Sequence, residues 1–448
     1  MKRTPVIAIF DIGKTNKKLL LFDEGYKLVY EESVQLEETI DEDGFSCEDI
    51  HLLTQWIKDS FDTITNNEKF QIKAVNFTAY GASFVNFDES RNVIPPLYNY
   101  LKPFPDKLRE RFYNKYGGES NFSKITASPV LGNLNSGMQL YRLKYEKPEM
   151  FSKIKYALHL PQYISFVLTG KIFSDITSIG CHTNLWDFQK NTYHAWVKKE
   201  GIEKILAPII RSDKIADFIN ENIPAGIGLH DSSAALIPYL ISFSEPFILI
   251  STGTWCITLN PFNNQPLTDD ELKQDCLCYL TYEGKPVKAS RLFAGNEHEI
   301  EVKRLSEHFG KSFDYYKNVH FDSEIIKRTF PFKNESMRDL NLFASYEEAY
   351  HQLMGNIIAQ QVTNTNLIFK RTACKRIFVD GGFSSNPVYM NLLSGAFPRM
   401  EVFAAMVPQA SALGAAFVLH QHWNSKALPT DLIELKYYPT KKKTTISK

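Results

Sequence analysis

Two stretches of this chain repeat one pattern of apolar and polar positions: a β-rich apolar run, a polar segment turning on glycine, and a returning apolar run. Residues 6–10 (VIAIF) and 19–22 (LLLF) flank a segment containing Gly13, which predicts a strand, a tight turn and a returning strand. A third run, KLVYEESVQL, follows. From Ser46 the period changes, with Ser46 and Asp49 forming a capping-box-like start and Ile50, Leu53, Ile57 and Phe61 recurring at helical spacing. An apolar strand, AVNFTAY, stops at Gly81, and SFVNFD is a further candidate strand. In the second half FILISTGTWCITL repeats the opening hairpin, with Gly253 in the place of Gly13 at an offset of 240 residues, and RIFVDGG repeats the strand that stops at glycine. Strands followed by alternating helix, twice in the same order, predict an α/β chain of two matching units, each giving a glycine turn to a shared cleft. Pro238 and the ISFSEP segment place the boundary at residues 238–246, dividing the chain into 1–240 and 241–448.

Composition narrows the function. The 448 residues carry 51 Lys+Arg against 51 Asp+Glu, which argues against nucleic-acid or membrane-surface binding through a basic field. With 44% hydrophobic and 23% charged residues the chain has the make-up of a globular protein with a sizeable core, neither disordered nor fibrous. No run reaches the ~18 apolar residues of a membrane helix. The opening MKRTPVIAIFDIG does not read as a signal peptide, so the expected location is the cytoplasm. Six cysteines are too sparse for a disulfide framework, and Cys276 and Cys278 lack ligand-spaced partners, so they are expected to be buried thiols. Lys441, Lys442 and Lys443 read as a solvated tail.

Chemistry concentrates in five places. DIGKTNKK, Asp11 to Lys18, is a turn whose backbone amides can form an anion-binding concavity, with Lys14, Thr15, Asn16 and Lys18 adding donors. It is not a P-loop, because that motif needs glycine where Ala8 stands. STGT, Ser251 to Thr254, offers the same turn without charge. VDGGFSSNP brings Gly381, Gly382 and Asn386, a double glycine open to a flat ring and an asparagine that donates or caps the next helix. Gly295 sits between an apolar run and a helical pattern. In GIGLHDSSAALIPYL, Asp231 occupies an N-cap position, where the helix dipole keeps a carboxylate ionised and able to accept a proton, and His230 precedes it. Each of these has an ordinary structural reading as a solvated hairpin or a helix cap.

In their order, DIGKTNKKLLLFD, GIGLHDSSAAL, LISTGTWCITL, VDGGFSSNP and SALGAAF resemble the FGGY family of carbohydrate kinases, within the sugar kinase, Hsp70 and actin superfamily. TAYGASFVNFDE and STGTWCITL are most similar to its rhamnulokinase and fuculokinase branch. The resemblance implies two ribonuclease H-like (actin-like ATPase) lobes with an interdomain cleft for ATP and sugar. It implies Asp231 as catalytic base and a first phosphate motif at Asp11, Gly13, Lys14, Thr15, Asn16 and Lys18. The second phosphate motif falls on Thr252, Gly253 and Thr254, and Gly295, Gly381, Gly382 and Asn386 flank the nucleotide. Gly81 and His230 face the sugar, and Asp11 with Asp231 stands near Mg²⁺.

The implied reaction is ATP-dependent phosphorylation of a primary hydroxyl of a ketose, a 6-deoxyketohexose such as L-rhamnulose or L-fuculose. The alternatives are a ketopentose such as L-xylulose or ribulose, an actin-like ATPase, or a sugar-sensing pseudokinase. Expected partners are a small-molecule sugar, with no nucleic acid and no membrane. Lys14 stands where relatives commonly have threonine, either touching phosphate or pointing to solvent. Ala82 and Ser83 replace the Val-Asp that follows this glycine in the rhamnulokinase-like branch, which removes a carboxylate from the sugar segment.

Overall fold

The computed structural model describes residues 3–329, 337–370, 372–429 and 431–440. The lysines at 441–443 lie outside the described residues. Strands Thr4–Ile12, Lys17–Asp23 and Leu28–Val34 make an antiparallel meander, and Phe70–Ala79 adds parallel to the first of them. Ile223–Gly226 and Leu229–His230 then pair parallel to Phe70–Ala79, and Ile215–Ile219 closes the edge antiparallel.

The second sheet repeats this arrangement. Phe247–Thr252, Cys256–Asn260 and Pro286–Leu292 form the meander, Arg376–Gly381 and Glu401–Met406 add parallel, and Glu434–Tyr438 closes antiparallel. An extra strand, Cys276–Leu280, extends the meander edge. The mixed α/β architecture and the paired hairpins anticipated from the sequence are both present.

The first strand is buried on both faces. Ile7 and Ile9 point into one apolar cluster, and Val6, Ala8 and Phe10 into another. The outer cluster is closed by helix Ile50–Thr65, whose Ile50, Leu53, Ile57 and Phe61 are buried at the expected spacing. Asp49 alone caps this helix; Ser46 lies in a short strand and donates to Glu38, so the predicted capping box is reduced to one residue. The candidate strand at SFVNFD forms as Phe84–Phe87, but in a separate three-stranded sheet with Val93–Ile94 and Tyr156–His159.

Between the two sheets lie two helices, Asp231–Ser242 and Ala410–Val418, packed backbone to backbone: a Cβ on Gly414 would stand 1.9 Å from the Ala234 carbonyl oxygen. They are exchanged relative to the order of the chain. Asp231–Ser242 lies on the second sheet, where Tyr239 packs on Phe247 and Phe378. Ala410–Val418 lies on the first sheet, and Asn76 Nδ2 donates to its Ala415 carbonyl at 2.8 Å. One apolar cluster therefore draws on both sheets. Among the described residues no helix is long and apolar enough to cross a membrane, and all six cysteines are free and buried.

Candidate active site

Both glycine hairpins close through the glycine amide, over loops of different length. The Gly13 amide donates to the Asn16 carbonyl at 2.9 Å, three residues on, and the Gly253 amide to the Trp255 carbonyl at 2.9 Å, two residues on. Their surroundings differ. Lys17 is buried and paired with Glu48 at 2.9 Å, and it also donates to the Lys14 carbonyl at 3.0 Å. Lys14 reaches Glu38 at 2.5 Å and Glu48 at 3.7 Å, so its charge is engaged by two carboxylates beside the loop. Lys18 pairs with Glu31 at 2.9 Å and reaches Gln409 of the second half at 3.4 Å. Thr15 is exposed, and Asn16 accepts from Gln35.

The second turn has no ionisable side chain at Gly253, Thr254 or Trp255, and it is fixed by close packing. A Cβ on Gly295 would fall 1.8 Å from the Gly253 carbonyl oxygen, and one on Gly381 would fall 1.9 Å from that of Thr252. Gly381 also has φ +81°, a conformation that glycine adopts without penalty. Asn296 N–H donates to the Thr254 carbonyl at 3.2 Å, which brings the start of helix Ala294–Phe309 against the turn. The Thr252 hydroxyl donates to the Asp380 carbonyl at 2.5 Å and accepts from Phe383 N–H at 2.9 Å, tying the hairpin to the double-glycine turn.

These parts line a cavity of about 560 Å³, with Thr252, Gly253, Thr254, Gly295, Gly382 and Asn386 on its wall and Phe313 and Tyr316 among the rings that extend it. Asn386 does cap the following helix, accepting from Val388 and Tyr389 N–H, and its Nδ2 donates to the Tyr350 hydroxyl at 2.6 Å.

Asp11 and Asp231 stand at the same sheet, Asp11 pairing with Thr78 of strand Phe70–Ala79 and His230, just before Asp231, with Ala79 of that strand. Asp11 ends the first strand and accepts from Ser411 Oγ at 2.7 Å. Asp231 is the first residue of its helix, with His230 in the cap position, so the expected N-cap role is displaced by one residue; it accepts instead from Ser232 N–H at 2.5 Å. Burial pushes the Asp231 carboxyl up to about 6, and burial, with the nearby charge of Asp231, pushes Asp11 up to about 6. Asp231, Ser251, Asp380 and Ser411 surround a smaller cavity of about 200 Å³, and 34% of the Asp231 side chain remains open.

Two carboxylates near one another, with the charge of Asp231 raising the cost of ionising Asp11, fit a small hard cation that completes its shell with phosphate oxygens and water. Among the described residues no cluster of three His, Cys, Asp or Glu could ligate a metal without such help.

Beside Asp231, a Cβ on Gly81 would meet the His230 ring at 2.9 Å and Cys181 Sγ at 3.1 Å. His230 is buried, held neutral by burial with its pKa pushed down to about 3, and its Nε2 lies 3.2 Å from Asp231 Oδ1 and 3.0 Å from Cys181 Sγ. Ala82 adopts φ +61°, and its carbonyl accepts from Gln139 at 2.6 Å. The Ser83 side chain is buried. Ser411 lies within SALGAAF but carries no signal of its own, and Glu48 and Cys181 are equally silent in the sequence, because only the tertiary fold brings them to the site.

Residues 6–237 match the profile of the FGGY family of carbohydrate kinases, N-terminal domain, and residues 244–427 that of the carbohydrate kinase FGGY C-terminal domain. Among curated relatives, a rhamnulokinase of Oceanobacillus iheyensis is 24% identical over 263 residues, covering 55% of this chain and 54% of that protein. The chain thus spans about half the length of the curated relatives it matches. Two solved structures share the fold: a carbohydrate kinase from Novosphingobium aromaticivorans (TM-score 0.79, 22% identity, 98% of this chain and 95% of that one) and a ligand-bound xylulose kinase from Lactobacillus acidophilus (TM-score 0.80, 17% identity, 97% and 94%).

Proposed function

The chain belongs to the FGGY family of carbohydrate kinases, and from that premise we propose that it transfers the γ-phosphoryl group of ATP to a primary hydroxyl of a ketose. The observation that carries this reading is the placing of Asp231 and the Asp11 partner Ser411 on one small cavity beside the second glycine hairpin, whose other side opens on the 560 Å³ cavity.

In this reading the larger cavity takes the nucleoside, with Gly382 leaving room for a flat ring and Asn386 beside it. The amides of the two turns face the phosphates, at Gly13, Thr15 and Asn16 on one side and Gly253 and Thr254 on the other. Phosphoryl transfer spreads negative charge over the moving group, so fixed donors and positioning account for most of the catalysis. Asp231 receives the proton of the attacking hydroxyl, and Ser232 N–H, donating to its Oδ1, holds that carboxylate in place. Asp11, with Asp231 nearby, would hold Mg²⁺, which when bound neutralises phosphate charge.

The sugar assigned is a 6-deoxyketohexose such as L-rhamnulose or L-fuculose, in keeping with the rhamnulokinase relatives. The replacement of Val-Asp by Ala82 and Ser83 supports a ketopentose such as L-xylulose or ribulose as the second reading. We divide the chain at 240/241 into a sugar-side and a nucleotide-side lobe and place the reaction in the cytoplasm, in keeping with six free thiols.

The test is an ADP-release assay over ketopentoses and 6-deoxyketohexoses with and without Mg²⁺. Activity on L-rhamnulose or L-fuculose is expected, and activity confined to ketopentoses would replace the substrate. Asp231→Asn should lower turnover roughly 10²–10⁴-fold while ATP still binds; wild-type turnover in that variant removes Asp231 from the chemistry.

A further inference from the structure

The ring packed against His230 comes from the other half of the chain. Tyr279 lies on strand Cys276–Leu280, the added edge of the second sheet. That strand is fastened to the first half by its backbone: Cys278 N–H donates to the Ala127 carbonyl at 2.8 Å, and Ser233 Oγ donates to the Leu280 carbonyl at 3.0 Å. Alternation along the strand turns Cys276 and Cys278 into a small separate cluster and sends Leu277 and Tyr279 the opposite way, toward the interface of the two sheets.

There the Tyr279 ring stacks on His230 with centroids 5.5 Å apart and planes at 27°, and stands edge-on to His182 at 6.1 Å. The residue is only 5% exposed. No described residue bonds to its hydroxyl, and that oxygen is not among the polar atoms sealed from solvent without a partner, so it keeps an opening through which water or a ligand can reach it. The neighbouring ring nitrogens do not supply a partner: His230 Nε2 contacts Cys181 Sγ at 3.0 Å, and His182 Nδ1 lies 3.0 Å from the Leu134 carbonyl. Burial pushes the phenol upward, so it stays protonated, and the charges of Asp231 and Arg291 both act on it.

We propose that Tyr279 is a specificity-determining residue, whose hydroxyl hydrogen-bonds a sugar hydroxyl other than the one that reacts. The inference rests on the kinase reading and deepens it. A polyol hydroxyl both donates and accepts, which suits a phenol with no internal partner. The contact comes from the second lobe, so the sugar pocket is complete only when strand Cys276–Leu280 is docked on the first. A site built to bond a hydroxyl discriminates strongly against an analogue that lacks it, because the protein group is then left unpaired.

Tyr279→Phe keeps the ring stacked on His230 and removes only the oxygen. Its KM for the preferred ketose should rise roughly threefold to tenfold, the range one neutral hydrogen bond supports, with kcat within about twofold and the KM for ATP unchanged. Across the monodeoxy analogues of that ketose, the ratio of variant to wild-type kcat/KM should return to one for a single analogue, which identifies the hydroxyl that is touched. Unchanged kinetics on every sugar, or the same loss on every analogue, would overturn the proposal, the latter because it marks a packing defect. Tyr279→Leu, which removes the ring as well, should also lower kcat by disturbing His230, and a Tyr279→Phe profile identical to it has the same overturning force. A wild-type protein that phosphorylates no ketose is a separate result, which removes the kinase premise and this inference with it.

Discussion

At the first hairpin the turn is surrounded by three lysines and three glutamates, with Lys17–Glu48 sealed from water and Lys14 and Lys18 paired nearer the surface. At the second hairpin the turn carries no charge, and two glycine Cα atoms press on its carbonyl oxygens. The two turns share antiparallel strand pairing and a glycine amide that closes the loop, yet one is positioned by electrostatics and the other by steric fit. Duplicated folds can thus preserve a hairpin while replacing the force that maintains its turn. The lysines that made the first turn look like the cationic half of a phosphate site are held by glutamates, which leaves the amides of both turns as the shared feature.

This contrast can be broken at either end. Glu48→Gln leaves Lys17 buried without its counter-charge and should destabilise the protein by about 3–5 kcal/mol, measured by denaturant unfolding; a loss near zero would mean water reaches the pair. Gly295→Ala places a methyl group against the Gly253 carbonyl and should cost about 1–3 kcal/mol. If that falls on the bound state, the KM for ATP rises roughly tenfold to a hundredfold. Gly382→Ala, in open space, should leave the fold unaffected, and equal effects for the two alanines would refute the steric account.

The third test uses the carboxylates. With Asp231 pushed up to about 6, kcat/KM should fall about tenfold per pH unit below pH 6 as the base is protonated. The stability effect has the opposite sign. A folded pKa above the unfolded value favours the protonated state, so stability is lost as pH rises from about 4 to about 6 and stays lost above that. Asp11→Asn should accordingly raise Tm at pH 7.5, without nucleotide, by on the order of 1–3 °C while impairing activity; a lower Tm would contradict the burial of that charge. The smallest effect is expected from Lys14→Met, below about 1 kcal/mol in stability and below about threefold in the KM for ATP, because its ammonium is directed at Glu38 and not at the cleft. A tenfold rise in that KM would restore Lys14 to the phosphate site.

Local pattern made the two hairpins, the strands stopping at Gly81 and Gly381 and the helix from Ile50 legible, because period and glycine punctuation are written into contiguous residues. It also brought Asp11, Asp231, Gly295 and Asn386 into view as residues in telling positions. Contacts between distant segments were not legible. Nothing in KTNKK announces that Glu38 and Glu48 will engage Lys14 and Lys17, since those glutamates arrive from a short hairpin of their own. Ser411 bonds Asp11 across 400 positions, and Tyr279 reaches His230 through an edge strand that has no counterpart in the first sheet. The shift of Asp231 from cap to first helical residue is a matter of one set of dihedral angles, below what residue preference resolves.

The exchanged helices bear on the order in which the molecule can be made. As the polypeptide leaves the ribosome, the first sheet emerges with one apolar face uncovered, because Ala410–Val418, which covers it, is synthesised nearly last. Severing the chain at 240 would give two fragments, neither able to shield its own interior and each carrying what the other needs. They should regain solubility only when mixed.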